Sequence, residues 1–334
     1  MKHSTMNSQI IATGSYFPKK LVTNHDLAKL FTTSDEWIRE KTGIEQRYFA
    51  APGEGASDLA LKAAQKALKA GNLSADDIDA IIFSTSSPDY QAPGSGILLQ
   101  NKLGAKKIPA YDIRNTSPGF LCALDLADGL IKTNRYKNVL TVCAEVHSTA
   151  LDFTDRGRLM AVIFGDGAGA AIIQATNDDK GLKDFIMHSD GKDFNKLWCE
   201  GPSSLRSPRV TKEQIDAGIF HPKMDGRYVY EHAVKNMTAV VKELLIKNKM
   251  GIDDIDLFLF HQANKNILEV VRKNLNLDVS KTPSNLAKSG NTNSATIPIL
   301  LDELWIDGKI HAGQKIILTS FGSGFSWGSC LIEL

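Results

Sequence analysis

The chain repeats itself. Asp76-Asp77-Ile78-Asp79-Ala80-Ile81-Ile82-Phe83 returns as Asp253-Asp254-Ile255-Asp256-Leu257-Phe258-Leu259-Phe260, an offset of 177 residues from Asp79 to Asp256. Lys137-Asn138-Val139-Leu140-Thr141 returns as Lys315-Ile316-Ile317-Leu318-Thr319, an offset of 178 from Lys137 to Lys315. Two matches at nearly one offset in 334 residues read as a duplicated unit of about half the chain. The alternative is chance recurrence of an acidic turn before an apolar strand. An amphipathic helix precedes each copy, marked by Leu59, Leu61, Ala64 and Leu68 in the first and by Val234, Met237, Val240, Val241 and Leu244 in the second. Apolar runs at 80–85, 138–143, 170–174, 257–261 and 315–319 alternate with helices. The alternation predicts an α/β fold with buried, largely parallel central strands. Two similar halves, 1–176 and 177–334, packed face to face, are the most economical arrangement. The stretch 189–223, rich in Gly, Pro, Ser and charge, reads as a long loop, and loops of that length tend to be lids or pocket walls.

Composition narrows the function. The chain is 43% hydrophobic and 23% charged with a net charge of +1, which gives no bias toward nucleic acid or an anionic membrane. Cys122, Cys143, Cys199 and Cys330 lie far apart without a CxxC pair. That argues against a metal site or disulfide framework and fits a reducing cytoplasm. Apolar stretches are short and broken, so membrane insertion is not expected. The start, Met1 to Gln9, lacks the apolar core of a signal peptide.

Four segments carry candidate chemistry. Tyr111-Asp112-Ile113 closes a strand, and Phe120, Leu124, Ala127 and Ile131 mark one face of the next helix, so Ser117 sits at a helix entry. Free N–H groups and the helix dipole favour an anion there. Ser followed by Pro is equally the signature of an ordinary N-cap. His261 ends the strand of the second repeat, where α/β folds assemble sites; a satisfied structural histidine is the plainer account. Asn291, in the turn Ser289-Gly290-Asn291-Thr292-Asn293-Ser294, stands 174 residues after Ser117, close to the repeat offset. A capping turn explains Asn and Ser there equally well. Phe321-Gly322-Ser323-Gly324-Phe325 permits close backbone approach, suited to an oxyanion hole or to a simple hairpin.

Taken together these segments resemble the beta-ketoacyl-ACP synthase III family of thiolase-fold condensing enzymes. The likeness extends to Thr33-Ser34-Asp35-Glu36-Trp37-Ile38, Thr42-Gly43-Ile44, Asp155-Arg156-Gly157, Phe164-Gly165-Asp166-Gly167-Ala168-Gly169-Ala170 and His261-Gln262-Ala263-Asn264. It implies a thiolase-like α/β fold of two duplicated halves with pseudo-twofold symmetry in αβαβα layers, and a homodimer. It implies acyl transfer and decarboxylative condensation on thioesters of coenzyme A or acyl carrier protein, without a cofactor or metal. Ser117 falls on the family's nucleophilic cysteine; His261 and Asn291 match the residues that hold the thioester carbonyl and stabilise the enolate. The N–H groups of Ser117 and Ser323 would form the oxyanion hole. Trp37 and Arg156 match the pair that sandwiches the adenine of coenzyme A, with Thr33, Lys41 and Thr42 near its phosphates and Asn264 on the pantetheine arm. Arg39, Lys41, Arg158 and Lys265 would offer a basic face to an acidic carrier protein. Ala92 takes the place of a bulky aromatic that ends the acyl pocket from across the dimer, which predicts a medium or longer acyl chain.

Serine changes the chemistry expected. A hydroxyl is a far weaker acid than a thiol, so it needs an adjacent base, and His261 is the only matched residue of the right type. Three readings follow from the residues: a condensing enzyme whose cysteine was changed to serine, a natural Ser–His acyltransferase, or a binding partner without chemistry. Retention of His261 and Asn291 argues against the third. Cys122, more than one helical turn further on, is expected to pack in the core rather than replace the nucleophile.

Overall fold

The computed structural model of the protein describes residues 6–334; the first five residues of the polar start lie outside the described residues. The sequence repeat has a hydrogen-bond cause. Asp77 closes a 3-10 turn by accepting from the N–H of Ser74 at 2.7 Å, and Asp254 does the same for Gly251 at 2.7 Å. Two residues on, Asp79 takes the N–H groups of Lys137 and Asn138 at 2.9 and 3.0 Å, and Asp256 takes that of Lys315 at 2.8 Å. Each acidic motif thereby fastens the neighbouring strand at its entry, so the two repeated segments are one device used twice.

Strands Asn7–Tyr16, Gly167–Thr176, Asn138–Glu145, Ala80–Ser84 and Ala110–Ile113 lie side by side in that order as one sheet. Leu257–Phe260, Lys315–Gly322, Ser326–Glu333 and Gly181–Ser189 form the second. Pairing is parallel between Ala80–Ser84 and both its neighbours and between Leu257–Phe260 and Lys315–Gly322; the other pairings within the two sheets are antiparallel. The expected, largely parallel core is therefore corrected: the sheets are mixed. Strands such as Ala80–Ser84 are buried on both faces, and a continuous apolar run carries no information about direction.

Between the sheets lie helices Gly119–Lys132 and Thr296–Ile306, whose Phe120, Leu124, Ile131, Ile297 and Leu300 join both sheets in one core. Helices Ala56–Ala70 and Ser95–Leu103 cover the outer face of the first sheet, and Gly226–Lys247 and Lys265–Asn274 that of the second. The result is the five-layered helix–sheet–helix–sheet–helix, thiolase-like arrangement. Strand Gly167–Thr176 ends in the first sheet and strand Gly181–Ser189 begins the second. The stretch after Ser189 is closed on itself by a two-residue pairing, Leu197–Trp198 with Lys223–Met224. No helix is long and apolar enough to cross a membrane among the described residues.

Candidate active site

Ser117 stands just outside helix Gly119–Lys132, whose capping residue is Pro118. It is therefore not the N-cap. Its hydroxyl donates to Asn293 Oδ1 at 2.8 Å instead of accepting from the helix. Thr116, immediately before it, sits at φ +44°, a conformation that costs a β-branched residue energy and that surrounding structure must impose. The imposing element is the loop after strand Lys315–Gly322. A Cβ on Gly322 would lie 2.9 Å from both Ser117 Cβ and Thr116 Oγ1, so the chain passes the serine with no room for a side chain. Thr116 Oγ1 reaches the Ser323 carbonyl at 3.5 Å, and the Ser323 hydroxyl donates to the Leu197 carbonyl. Among the described residues, neither the Ser117 nor the Ser323 N–H donates to a protein group, and both residues line one cavity of about 1690 Å3.

His261 and Asn291 line the same cavity. His261 is fully buried, and burial pushes its imidazole down from 6.5 to about 3, so it is neutral near pH 7. Its Nδ1 lies 2.7 Å from Thr296 Oγ1, and that hydroxyl is also 3.1 Å from the Asn293 carbonyl. Thr296 has one hydrogen. If it goes to the carbonyl, His261 carries its proton on Nδ1 and offers Nε2 as a base. If it goes to Nδ1, Nε2 becomes a donor suited to a thioester carbonyl. Asn291 Oδ1 accepts from the Asn293 N–H at 2.8 Å, which leaves its amide N–H end for a ligand. The sequence pointed to His261 as the base for Ser117. The structure gives the hydroxyl a different partner, an amide oxygen that cannot take a proton.

Three residues the sequence reading did not single out complete this corner. Asn293 Nδ2 is 2.7 Å from Ser86 Oγ and 3.1 Å from His147 Nε2. Glu145, fully buried, accepts from Ser86 N, Ser87 Oγ and Ser294 Oγ at 3.0, 2.8 and 2.6 Å and lies 3.5 Å from His147 Nε2. Asn293 lay inside the quoted turn, but an Asn in such a turn already has a capping explanation. His147 follows a strand end, the one available signal.

The coenzyme A candidates divide. Trp37, Lys41, Thr42 and Asn264 line the cavity. The cation over the Trp37 ring is Arg158, at 5.4 Å; Arg156 turns away to Asp152 at 2.6 Å and to the Asp216 carbonyl at 3.0 Å and does not line the cavity. The expected pairing is thus altered here: Arg156 is drawn off by a buried carboxylate, and the half-buried Arg158 takes the ring. Thr42 and Asn264 spend their polar groups on structure, Thr42 on the Ile38 carbonyl and Ile44 N–H, Asn264 on capping Asn266 and holding the Lys41 carbonyl. Thr33 is outside the cavity lining, with its hydroxyl buried and unpartnered. Lys41 pairs with Glu40, Arg39 with the half-buried Asp35 and with Glu45, and Lys265 with Glu269, the other partners being exposed. Ala92 is exposed and not part of this chain's cavity wall. The wall includes Leu197, Trp198, Cys199 and Met224 from the long loop and Val229, Ala233 and Met237 from helix Gly226–Lys247. Burial pushes the Cys122 thiol up, and it accepts from Asn115 at 2.9 Å, so it is no ready thiolate.

Comparison with known proteins agrees with this geometry. Residues 111–191 match the family described as 3-oxoacyl-(acyl-carrier-protein) synthase III, and 245–334 match its C-terminal part. The chain is 40% identical to the beta-ketoacyl-(acyl-carrier-protein) synthase III of Paramagnetospirillum magneticum, over 98% of this chain and 99% of that protein. It is 42% identical to the one from Clostridium perfringens over the same shares. Among solved structures, the 3-oxoacyl-(acyl-carrier-protein) synthase III of Aquifex aeolicus superposes with a TM-score of 0.90 at 36% identity, covering 98% of this chain and all of the other. A mixed two-sheet core, Ser117, His261 and Asn291 on one cavity and full-length relatives converge: the chain belongs to the beta-ketoacyl-(acyl-carrier-protein) synthase III family.

Proposed function

We propose that the protein transfers an acyl group from an acyl-CoA or acyl-ACP thioester to Ser117 and condenses it with a malonyl-type thioester. The observation that carries this is the convergence of the Ser117 hydroxyl, His261, Asn291 and the bare N–H of Ser323 on one largely apolar cavity. Ser117 Oγ attacks the thioester carbonyl, the C–S bond breaks, and the thiol leaves with the serine proton. The two N–H groups stabilise the tetrahedral oxyanion. Loss of CO2 from the second substrate then leaves an enolate whose oxygen is held by His261 Nε2 and the Asn291 amide. Its carbon attacks the acyl-serine carbonyl, the C–C bond forms, the ester bond breaks, and Ser117 regains a proton. An oxygen ester is less reactive toward a carbanion than a thioester, so condensation is the slower half.

Trp37 and Arg158 are proposed to take the adenine of coenzyme A, with Arg156 swinging in from Asp152, and Thr33, Lys41, Thr42 and Asn264 to flank the rest. The apolar wall from Leu197 to Met237 suits a medium or longer acyl chain. We assign the nucleophile to the half 1–176 and His261 with Asn291 to the half 177–334, in a cytoplasmic homodimer where Ala92 faces the partner's pocket.

A second reading, Ser–His acyl transfer without condensation, is favoured by the neutrality of His261, which leaves a lone pair available at neutral pH. Intact-protein mass after incubation with acyl-CoAs of increasing length tests both. An adduct on the peptide bearing Ser117, lost in Ser117→Ala, supports acyl transfer; release of that adduct as a β-keto product on adding malonyl thioester supports condensation. No adduct with Ser117, but one after Ser117→Cys, assigns the present chain as a serine form of a cysteine enzyme. No adduct with either overturns the catalytic reading.

A further inference from the structure

One side chain with two chemically opposite ends governs Ser117. Asn293 turns Oδ1 to the Ser117 hydroxyl and Nδ2 to Ser86 Oγ and His147 Nε2, at 2.8, 2.7 and 3.1 Å. An amide nitrogen only donates, so this orientation requires a lone pair on His147 Nε2. The same nitrogen is 3.5 Å from Glu145 Oε2, which only accepts. His147 Nε2 thus lies between a donor that asks for a lone pair and a carboxylate that asks for a hydrogen. Half a turn of the amide exchanges its oxygen and nitrogen within the same envelope. With a hydrogen on Nε2, the turned amide accepts it on Oδ1 and donates Nδ2 to Ser117 Oγ; the one Ser86 hydroxyl hydrogen, given to Glu145 Oε2 at 3.0 Å in the present orientation, turns to Oδ1, and Glu145 keeps the Ser86 N–H and the Ser87 and Ser294 hydroxyls.

We propose that His147 sets the orientation of the Asn293 amide and thereby decides whether Ser117 Oγ is a donor tied to an amide oxygen or an acceptor backed by an amide N–H. The inference rests on the reading of Ser117 as the nucleophile. In the first state the serine proton is held where no base can take it. In the second the proton is free for a base on the cavity, and the amide N–H supports the charge that develops on Oγ. His147 acts through Asn293 and is a positioning residue. The charged groups that face its ring are Glu145 and Asp166, the latter fixed by the Ala50 and Ser148 N–H groups at 2.8 and 2.9 Å, and Phe164 covers it with ring centroids 4.6 Å apart. The arrangement therefore couples serine reactivity to the hydrogen on one imidazole nitrogen.

The test uses the full chain carrying Ser117→Cys, alkylated by iodoacetamide across the neutral pH range, with the rate read by mass on the peptide bearing position 117. An N–H facing the sulfur favours the thiolate; a carbonyl disfavours it. At neutral pH the His147→Leu rate is expected to fall by about tenfold, the scale of one charge-assisted hydrogen bond. His147→Gln, which can present its oxygen or its N–H to Asn293, restores a fast rate. Asn293→Asp, which offers position 117 no amide donor, is slow. Equal rates for His147 and His147→Leu, each with an unchanged melting temperature, overturn the proposal. If His147→Leu fails to fold, His147→Gln and Asn293→Asp decide alone: a slow rate in the first or a fast rate in the second overturns it. Alkylation needs no acyl substrate, so this outcome is independent of whether Ser117 takes an acyl group.

Discussion

At the scale of single residues, the site is set by what is missing as much as by what is present. Gly322 has no Cβ because Ser117 and Thr116 occupy its place. Gly322→Ala is expected to destabilise by about 1–3 kcal/mol, the usual cost of overpacking, and to slow acylation of Ser117 by at least about tenfold through displacement of the reacting atom. A denaturant melt and the intact-mass time course check the two effects. His261 gives a second prediction. Its imidazole is held near 3 in the fold and lies near 6.5 in the unfolded chain. Between those values the unfolded chain binds a proton that the folded chain refuses. The contribution of His261 to stability is thus intact above about pH 6.5 and lost as pH falls toward 3. His261→Gln should flatten that part of the melting temperature against pH curve while abolishing decarboxylation. That Ser117, His261 and Asn291 would share a cavity was legible because each lies in a turn between elements at corresponding ends of the repeat. Asn293 and His147 were not, since their meaning depends on side chains from opposite halves meeting, and distance along the chain does not record that.

At the scale of elements, helix Gly119–Lys132 holds the Ser117 turn by its burial. Phe120 is fully buried in the core between the two sheets. Phe120→Ala is expected to cost about 3–5 kcal/mol, read as a shift in denaturant midpoint. The strand-entry aspartates make a gentler case. Asp79 accepts from the N–H groups of Lys137 and Asn138, and Asp79→Ala should cost about 0.5–1.5 kcal/mol, the net worth of such bonds near the surface, with Asp79→Asn recovering part of the loss in the same melt. The duplicated motif was readable because side-chain oxygens at fixed positions make it, and those appear in sequence. Strand direction was not, because Gly167–Thr176 and Ser326–Glu333 are buried along most of their length on both faces, as the parallel-paired strands are.

At the scale of the whole molecule, the two halves share their interior. Both central helices contribute to one core that includes residues of both sheets. Ser117 comes from the first half and the amide that holds it, Asn293, from the second. The distance between them, 2.8 Å, is therefore a gauge of how the halves are seated. A chain built this way has no spare scaffold on which a damaged site can persist. Loss of serine acylation and loss of ellipticity should follow one curve in a denaturant titration, and activity fading well before the fold would show that the halves can part. Duplicated units are usually free to diverge; here the amide of one holds the serine of the other, so a change in either is felt at that contact.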